Sequence, residues 1–309
     1  MNQTCYVIVT AAYNEAPYIE TTLRSVISQT VLPAAWIIAS DGSTDQTDDI
    51  IKRFEALHPF ITYVRIDHGP DDPSLRFGQV ASRKVGAVNC ALSRLSTVQY
   101  DYLCILDADI SIDPPFFERL LKRCECDPTI GVSTGRIYNV FANKLAPHSG
   151  GGALLLFRNE CFRAIGGLTP AGHEDTIAAI MVRMMGWHAE RYSDLPIYHH
   201  KVQNIRWTRR FKAKYYLGAY DHLHGDILLW EFLRCIKETI DTPYLLGSCL
   251  RFCGYVTGII SGRQVLSSKV RRFVRDEQYR KIRTVLGHSL HSLVTFATSQ
   301  ASRTRHPRD

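Results

Sequence analysis

Two carboxylates directly follow a strongly apolar run in the stretch YLCILDADISIDPP, residues 102–115. Asp107 and Asp109 are separated by one alanine, so a tight turn at the end of a buried strand would bring both acids to one side. Carboxylate oxygens are the ligands that Mg²⁺ and Mn²⁺ prefer, and these ions commonly bridge such acids to a substrate diphosphate. A solvated loop or a helix cap would use the same residue types. The pattern alone leaves both interpretations open.

Apolar strands and amphipathic helices alternate through the first 115 residues. Strand patterns occupy 5–10, 34–40, 61–67 and 100–109, and helical spacing occupies 18–30, 43–57 and 78–95. Continuously apolar strands joined by helices predict an α/β fold, in which a mostly parallel sheet is covered by helices on both faces. Such sheets bind ligands at the carboxyl ends of their strands, and a nucleotide is the default ligand there. Neither a GxGxxG after the first strand nor a GxxxxGK[ST] loop is present, which argues against dinucleotide-binding and P-loop proteins.

The chain changes character twice after residue 115. The segment 116–205 is mixed and irregular, as expected of a part that receives a second substrate, and 206–296 is helical and basic. Residues 201–309 contain 20 Lys/Arg against 8 Asp/Glu, whereas the whole chain has a net charge of +7. Basic surfaces attract anionic lipid, phosphorylated ligands or nucleic acid, and nucleic acid is not expected because no recognition fold accompanies the charge. The tail 297–309 is predicted to be flexible.

The nine cysteines lack the spacing and histidines of a zinc site, so we expect reduced thiols in a cytoplasmic protein. No signal peptide is evident, and no run of about 20 apolar residues predicts a simple membrane span. The apolar stretch 243–262 is interrupted by Arg251 and fits a buried helix or one at a membrane interface. Because large apolar residues interleave with basic ones in this region, we expect peripheral contact with an anionic membrane, on its cytoplasmic face.

Four motifs, in this order and spacing, resemble the family 2 glycosyltransferases, in particular membrane-associated bacterial and archaeal members. They are YNEAPYIETTLRSVISQT, SDGSTDQT, the Asp-x-Asp of LDAD, and the acid pair at 174–175, and they cover roughly residues 5–200. The resemblance implies the GT-A fold, a Rossmann-like and mostly parallel sheet. It also implies inverting transfer of a sugar from a nucleotide-sugar donor, with Mn²⁺ or Mg²⁺ as cofactor.

The resemblance also implies roles for individual residues. Asp175 would be the catalytic base, Asp109 the direct metal ligand, and Asp107 a neighbour of both ribose and metal. A single base without an enzyme nucleophile implies inversion, since retention commonly uses a covalent intermediate. Acids are also favoured in the first turn of a helix, and Asp175 can be both a helix-start acid and the base. The residues implied to line the nucleotide site are Thr10, Ala11, Tyr13, Glu15, Asp41, Arg83, Lys84 and Asp107, with Asp41 hydrogen-bonding the nucleobase, usually uracil.

Further residues are expected at the diphosphate and the acceptor. His200 is predicted as a third metal ligand, with a partly buried histidine at a strand end as the alternative. Glu174 is expected on the acceptor and diphosphate side. The stretch QNIRW fits Q-x-x-R-W, which in processive members of the family binds the acceptor sugar and the diphosphate. Arg206 would then pair with phosphate and Trp207 would stack on a sugar.

These expectations combine into one functional prediction and two alternatives. The prediction is a metal-dependent, inverting glycosyltransferase with a catalytic domain at 1–205, divided into a nucleotide-binding half, 1–115, and an acceptor-binding half, 116–205. It would use a UDP-sugar or a related donor and a hydroxyl or phosphate acceptor, such as a lipid-linked acceptor or a growing glycan. One alternative is a catalytically silent member that binds a membrane or a partner, although such members usually lose one of the key acids. The other is a nucleotidyltransferase, although TAAYNEAPY has no glycine and no basic residue to hold a triphosphate.

Overall fold

The computed structural model describes residues 4–67, 80–140, 144–145, 152–170, 173–201, 207–240, 244–262 and 265–284. Within these ranges it leaves out the side chains of 80–82, 144–145 and 207–210. The chain forms two compact units, Met1–Gln203 and Asn204–Asp309. The predicted flexible tail at 297–309 lies outside the described residues.

Strands form where β-branched and other apolar residues follow one another without interruption. The strands are β1 (Tyr6–Ala12), β2 (Ala35–Asp41), β3 (Ile61–Ile66), β4 (Tyr102–Leu106), β5 (Ile110–Ile112), β6 (Ile130–Asn139), β7 (Lys144–Leu145), β8 (Leu154–Arg158) and β9 (His188–His199). The helices are α1 (Ile19–Ile27), α2 (Thr47–Glu55), α3 (Val80–Ser93), α4 (Phe116–Cys126), α5 (Asn159–Ala164), α6 (Glu174–Met184), α7 (Trp207–His224), α8 (Leu228–Lys237), α9 (Tyr244–Ser261) and α10 (268–284).

The strands form one sheet in the order β3-β2-β1-β4-β8-β6-β9-β5, with β7 paired to β6. The four strands β3, β2, β1 and β4 are parallel, as the alternation of strands and helices predicts. β8 then runs antiparallel to β4, and β5 runs antiparallel to β9. The carboxyl ends of β1, β2 and β4 therefore meet at one edge, where Asp41 and Asp107 lie.

Helices cover both faces of this sheet because the strands are apolar on both sides. Alternate residues of β1 face opposite ways: Ile8 packs in a core with residues of α1, α2 and α4, and Val9 packs in a core with residues of α3, α5 and α6. Trp36 of β2 is fully buried in the first of these cores. The predicted α/β class with helices on both faces is confirmed.

The second unit is helical, as predicted. It consists of α7, α8, a 3-10 turn at Glu238–Ile240, α9 and α10. The backbones of α7 and α9 are in contact at two glycines. A Cβ atom added to Gly218 would overlap the carbonyl oxygen of Arg251, and one added to Gly254 would overlap the carbonyl oxygen of Tyr215. Only residues without a side chain permit this approach.

Candidate active site

The loops that follow β1 and β2 are joined by hydrogen bonds from side chains. Asn14 adopts a left-handed backbone with φ of 52°. Its backbone N–H donates to the Ser43 hydroxyl at 3.1 Å, and its side-chain oxygen accepts from the backbone N–H of Thr44 at 2.8 Å. The backbone N–H of Glu15 donates to the Thr47 hydroxyl at 2.8 Å. These bonds hold the strand-end residues Tyr13, Glu15 and Asp41 in fixed positions.

Asp41, Arg83 and Tyr13 form one cluster at the end of β2. Nε of Arg83 donates to Oδ2 of Asp41 at 2.7 Å, and its NH2 group donates to the backbone carbonyl of Asp41 at 2.8 Å. The guanidinium carbon lies 4.7 Å from the centre of the Tyr13 ring, a cation–π distance. Tyr13 is 48% exposed, so one ring face is available to a planar ligand. The structure thus brings together three residues predicted for the nucleoside.

Lys84 connects Asp107 to Glu174. Its Nζ atom lies 2.9 Å from Oδ1 of Asp107 and 3.0 Å from Oε1 of Glu174. Burial lowers the pKa of Lys84, but the two carboxylates more than offset this and raise it. Burial raises the pKa of Asp107, although the charge of Lys84 opposes that shift. Asp107, predicted for the nucleotide and metal, and Glu174, predicted for the acceptor and diphosphate, are therefore bridged by the ammonium group of Lys84.

Asp109 pairs with His199. Nε2 of the imidazole lies 3.4 Å from Oδ2 of the carboxylate. Burial raises the pKa of Asp109, but the hydrogen bond from His199 and the charges of His199 and Lys201 outweigh this and lower it. The same hydrogen bond raises the pKa of His199. Lys201 in turn forms an ion pair with Glu15, whose pKa is raised by burial.

The residues around Asp109 fit a divalent cation. Oδ1 of Asp109, Nδ1 of His199 and Oε2 of Glu15 are buried and have no hydrogen-bond partner among the described residues. Buried polar atoms are normally satisfied, so each of these atoms calls for a partner that the described residues do not supply. Of these side chains, Asp109 offers the oxygen that Mg²⁺ and Mn²⁺ prefer, and an imidazole such as that of His199 suits Mn²⁺.

The structure gives the two histidines different neighbours, and which of them binds a metal stays a prediction. Nε2 of His200 lies 2.7 Å from the Ser111 hydroxyl, and burial lowers its pKa. His199, rather than the predicted His200, has its side chain beside Asp109. Neighbouring residues at a strand end point to opposite sides, so a shift of one position decides which imidazole meets the acid.

Asp175 is the second residue of α6. The helix begins directly after His173, whose backbone is left-handed with a φ of 54°. A Cβ atom added to Gly152 would lie 2.9 Å from Oδ2 of Asp175, so this glycine leaves the room that the carboxylate occupies. Gly152 precedes β8, which pairs with β4, and Asp107 N–H donates to the Ala153 carbonyl at 2.9 Å. The Asp175 carboxylate therefore lies beside Gly152, and the next residue, Ala153, is hydrogen-bonded to the backbone of Asp107.

Of the remaining predicted positions, one differs from expectation and two lie outside the described residues or side chains. The hydroxyl of Thr10 is fully buried and accepts a hydrogen bond from the Trp36 indole at 3.0 Å, so this side chain belongs to the core, which corrects its expected place in a pocket. Ala11 is partly buried. Arg206 lies outside the described residues, and Trp207 begins α7 with its side chain outside them.

Sequence reasoning favoured His200 over His199 and missed Lys201 and Gly152. The doublet of histidines at 199–200 was the signal for the first, and the register of β9 was needed to choose between them. Lys201 and Glu15 are 186 positions apart, and sequence spacing carries no signal for such a pair. Three glycines stand together at 150–152, but only the position of Asp175 gives Gly152 a purpose.

The model of Glycosyl transferase family 2 matches residues 7–178. The poly-beta-1,6-N-acetyl-D-glucosamine synthase of Staphylococcus epidermidis is 32% identical over 127 residues, which are 40% of this chain and 26% of the synthase. The synthase of the same name from Staphylococcus aureus strain COL is 30% identical over 125 residues, with the same shares. The aligned part of the chain thus spans about a quarter of the length of these curated relatives.

Solved structures resemble nearly the whole chain in fold. The mannosyltransferase PcManGT from Pyrobaculum calidifontis, solved with GDP-Man and Mn²⁺, has a TM-score of 0.56 and 19% identity, covering 97% of this chain and 85% of that one. TarS 1–349 from Staphylococcus aureus, solved with UDP-GlcNAc, has a TM-score of 0.53 and 13% identity, covering 84% of this chain and 73% of that one. At these identities the likeness establishes the GT-A fold alone. Because the family match covers more than half of the sequence, and the strand-end acids lie together at the ligand edge, the chain belongs to glycosyl transferase family 2.

Proposed function

We propose that the chain is a metal-dependent, inverting glycosyltransferase that moves a sugar from a nucleoside-diphosphate donor to a hydroxyl or phosphate acceptor. One observation carries the proposal: Asp109 presents a buried oxygen without a partner among the described residues, at the sheet edge where Asp41 and Asp107 also lie. The silent alternative is disfavoured because Asp41, Asp107, Asp109 and Asp175 are all present.

The diphosphate end of the donor would lie between Asp109 and Lys84. Asp109, with Asp107 and an imidazole, would hold Mn²⁺ or Mg²⁺, which supplies Lewis-acid stabilisation of the departing diphosphate. Lys84 would add a fixed positive charge from the other side, and its ion pairs with Asp107 and Glu174 hold its ammonium group in position.

The base in this proposal is Asp175. Its carboxylate would accept the proton of the acceptor hydroxyl as that oxygen attacks the anomeric carbon. A single displacement inverts the configuration at that carbon, and no enzyme nucleophile is needed. Gly152 supports the role, since the space left by its missing side chain is where the Asp175 carboxylate sits.

The donor is proposed to be a UDP-sugar. Asp41 and Arg83 offer an acceptor and donors of hydrogen bonds to a nucleobase, and Tyr13 offers a ring face. Residues 1–115 would bind this donor and 116–205 the acceptor, with Arg206 and Trp207 as predicted acceptor and diphosphate contacts. The curated relatives are named as polysaccharide synthases, which supports a growing glycan or a lipid-linked acceptor.

A peripheral position on the cytoplasmic face of an anionic membrane completes the proposal, with the helical region 206–296 as the part that meets the lipid. By length and composition, α9 is a described helix that is long and apolar enough to cross a bilayer, and 33% of it is buried. A single such helix is weak support for a span.

A thermal-shift panel of UDP- and GDP-sugars, with Mn²⁺, with Mg²⁺ and with EDTA, tests the proposal. We expect one donor class to raise the melting temperature with metal and not with EDTA. Asp113→Asn, which changes an exposed acid near the same strand, serves as the matched control and should keep the shift. If no nucleotide stabilises the protein in the presence of metal, the transferase assignment is wrong.

A further inference from the structure

Helix α8 turns its apolar face outward, whereas a surface helix of a soluble protein turns that face toward the core. The side chains that it buries are Glu231 and Cys235, with Glu231 fully buried. The side chains that it exposes are large and apolar: Leu228, Leu229, Phe232, Leu233 and Ile236, each between 44% and 52% exposed. A soluble surface helix has the opposite arrangement, with its apolar stripe toward the core.

The inversion continues through the 3-10 turn into α9. Ile240 is 81% exposed, and Tyr244, Leu245 and Leu246 in the first turn of α9 are each more than half exposed. The side of α9 that is buried carries small or polar residues, namely Gly247, Ser248, Arg251, Gly254, Tyr255 and Gly258. We call the run of exposed apolar side chains from Leu228 to Leu246 the α8–α9 apolar surface.

The interior of the unit is held together by charges. Arg251, with a side chain only 7% exposed, donates to Glu231 and Glu238 at 2.9 Å each and pairs with Asp221. Arg234 reaches Asp221 and Asp226 at 2.9 Å. The carboxylates of Asp221, Asp226 and Glu231 lie close enough to hold a cation, but these two guanidinium groups already neutralise them. On α8 and the start of α9, polar groups inside and apolar groups outside suit a surrounding that is itself apolar, whereas α10 buries Val270 and Val274 as a helix of a soluble protein does.

We propose that the α8–α9 apolar surface inserts into the interfacial region of a lipid bilayer. The inference rests on the proposed membrane contact and refines it, because the contact is made by apolar insertion as well as by basic charge. Helices that lie in the interface bury an apolar face at the boundary of headgroups and acyl chains, and they keep their polar face away from the lipid.

Arg251 explains why α9 lies at the membrane instead of crossing it. This residue is in the middle of α9 and bonds acids of α7, of α8 and of the 3-10 turn. A transmembrane α9 would have to carry Arg251 into hydrocarbon with all three partners, or separate it from them, and either is costly. The helix therefore stays attached to its neighbours and exposes one side.

The distribution of charge selects lipid over a second copy of the chain. Four of the acids of the unit, Asp221, Asp226, Glu231 and Glu238, are ion-paired in its interior. Exposed bases remain outside, among them Lys237 beside the apolar surface and Arg272, Arg275 and Arg280 on α10. These exposed like charges disfavour the pairing of two copies of the unit, whereas an anionic bilayer attracts it.

Flotation of the full-length chain with vesicles of phosphatidylcholine and phosphatidylglycerol tests the inference. We expect the wild type to float and to retain measurable binding at about 1 M NaCl, where exposed charges are screened. The double variants Phe232→Gln/Leu233→Gln and Leu245→Gln/Leu246→Gln should each lose at least about tenfold in vesicle affinity, because large apolar side chains are no longer available for burial. Leu57→Gln is the matched control, since Leu57 is 74% exposed on the first unit, and it should float like the wild type.

A second measurement needs no change to the apolar surface. Trp230 lies on α8, and brominated lipids should quench its fluorescence in the wild type but give less quenching in Trp230→Phe. Donor binding by thermal shift, measured without lipid, checks the first unit separately: a lost shift contradicts the transferase proposal and leaves flotation to decide this one. Flotation that the double variants do not change, binding that high salt abolishes in the wild type, or a lipid-free dimer that these variants dissociate would each overturn the insertion.

Discussion

Nε2 of His199 lies 3.4 Å from Oδ2 of Asp109, and each of these side chains has a second buried polar atom without a partner among the described residues. Two side chains that satisfy each other completely would form a structural pair. These two satisfy each other only on one side, which leaves an oxygen and a nitrogen for a further ligand. The open carboxylate oxygen of Asp109 is therefore the atom of the site that best fits a cation.

Asp109→Asn tests that arrangement. An amide is a weaker ligand than a carboxylate for a hard cation, so we expect the Mn²⁺-dependent part of UDP affinity to fall at least about tenfold. Titration calorimetry with UDP, with and without Mn²⁺, measures this. Asp113→Asn removes an exposed acid nearby and should leave the affinity unchanged. Equal losses in the two variants would mean that only the general negative charge matters.

The choice between the histidines can be tested by parallel substitutions, His199→Gln and His200→Gln. Because His199 meets Asp109 while His200 meets Ser111, we expect the first to weaken metal-dependent UDP binding several-fold and the second to change it little. The paired comparison uses the same chemical change at adjacent positions. The reverse order of effects would restore the expectation from sequence that His200 is the ligand.

Asp175→Asn should separate binding from chemistry. Transfer should fall by at least about a hundredfold, as expected on removal of a general base, while UDP affinity stays within a few-fold. Glu160→Gln, at an exposed acid in the first turn of another helix, controls for loss of a helix-start charge and should keep full activity. Loss of UDP binding in Asp175→Asn would show that this acid holds the donor.

Arg83→Ala should both destabilise the protein and impair donor binding. The guanidinium bonds the carboxylate and the carbonyl of Asp41, and both side chains are largely buried, so removing it should lower the free energy of unfolding by about 3–5 kcal/mol. Arg24→Ala is the contrasting control, since Arg24 pairs with Glu20 on an exposed helix face and should cost less than about 1 kcal/mol. Denaturant unfolding measures both, and similar costs would refute the buried cluster.

Stability should fall as the pH rises through about 6. Burial raises the pKa of Asp226 to about 6, and it also raises that of Glu231, so the folded chain holds more protons than the unfolded chain above the ordinary carboxyl range. Stability from these groups is present at low pH and lost as they ionise. Glu231→Gln should flatten the dependence of melting temperature on pH, and Asp276→Asn, an exposed acid on α10, should not.

The fold was predictable because one pattern runs through it. The alternation of apolar strands and amphipathic helices specifies the parallel part of the sheet, β3-β2-β1-β4, but not the antiparallel pairs made by β5, β7 and β8. The acids at the ends of β2 and β4 follow directly from where those strands stop. The partner of Asp109 was not predictable in the same way, because it depends on the register of β9 to a single residue. Which face of α8 is buried was also not predictable, since an amphipathic pattern does not say which side faces the interior.

The glycine contact between α7 and α9 has a consequence for the life of the protein in the cell. Because α7 and α9 are in backbone contact at Gly218 and Gly254, these two helices cannot slide past each other easily. We therefore expect the apolar side chains to stay exposed when the protein is in water. Proteins with a hinged amphipathic segment can wait in solution until they meet a membrane. If the α8–α9 apolar surface inserts into a bilayer as proposed, the chain should reach lipid soon after synthesis or bind a chaperone, and we expect its soluble pool to be small.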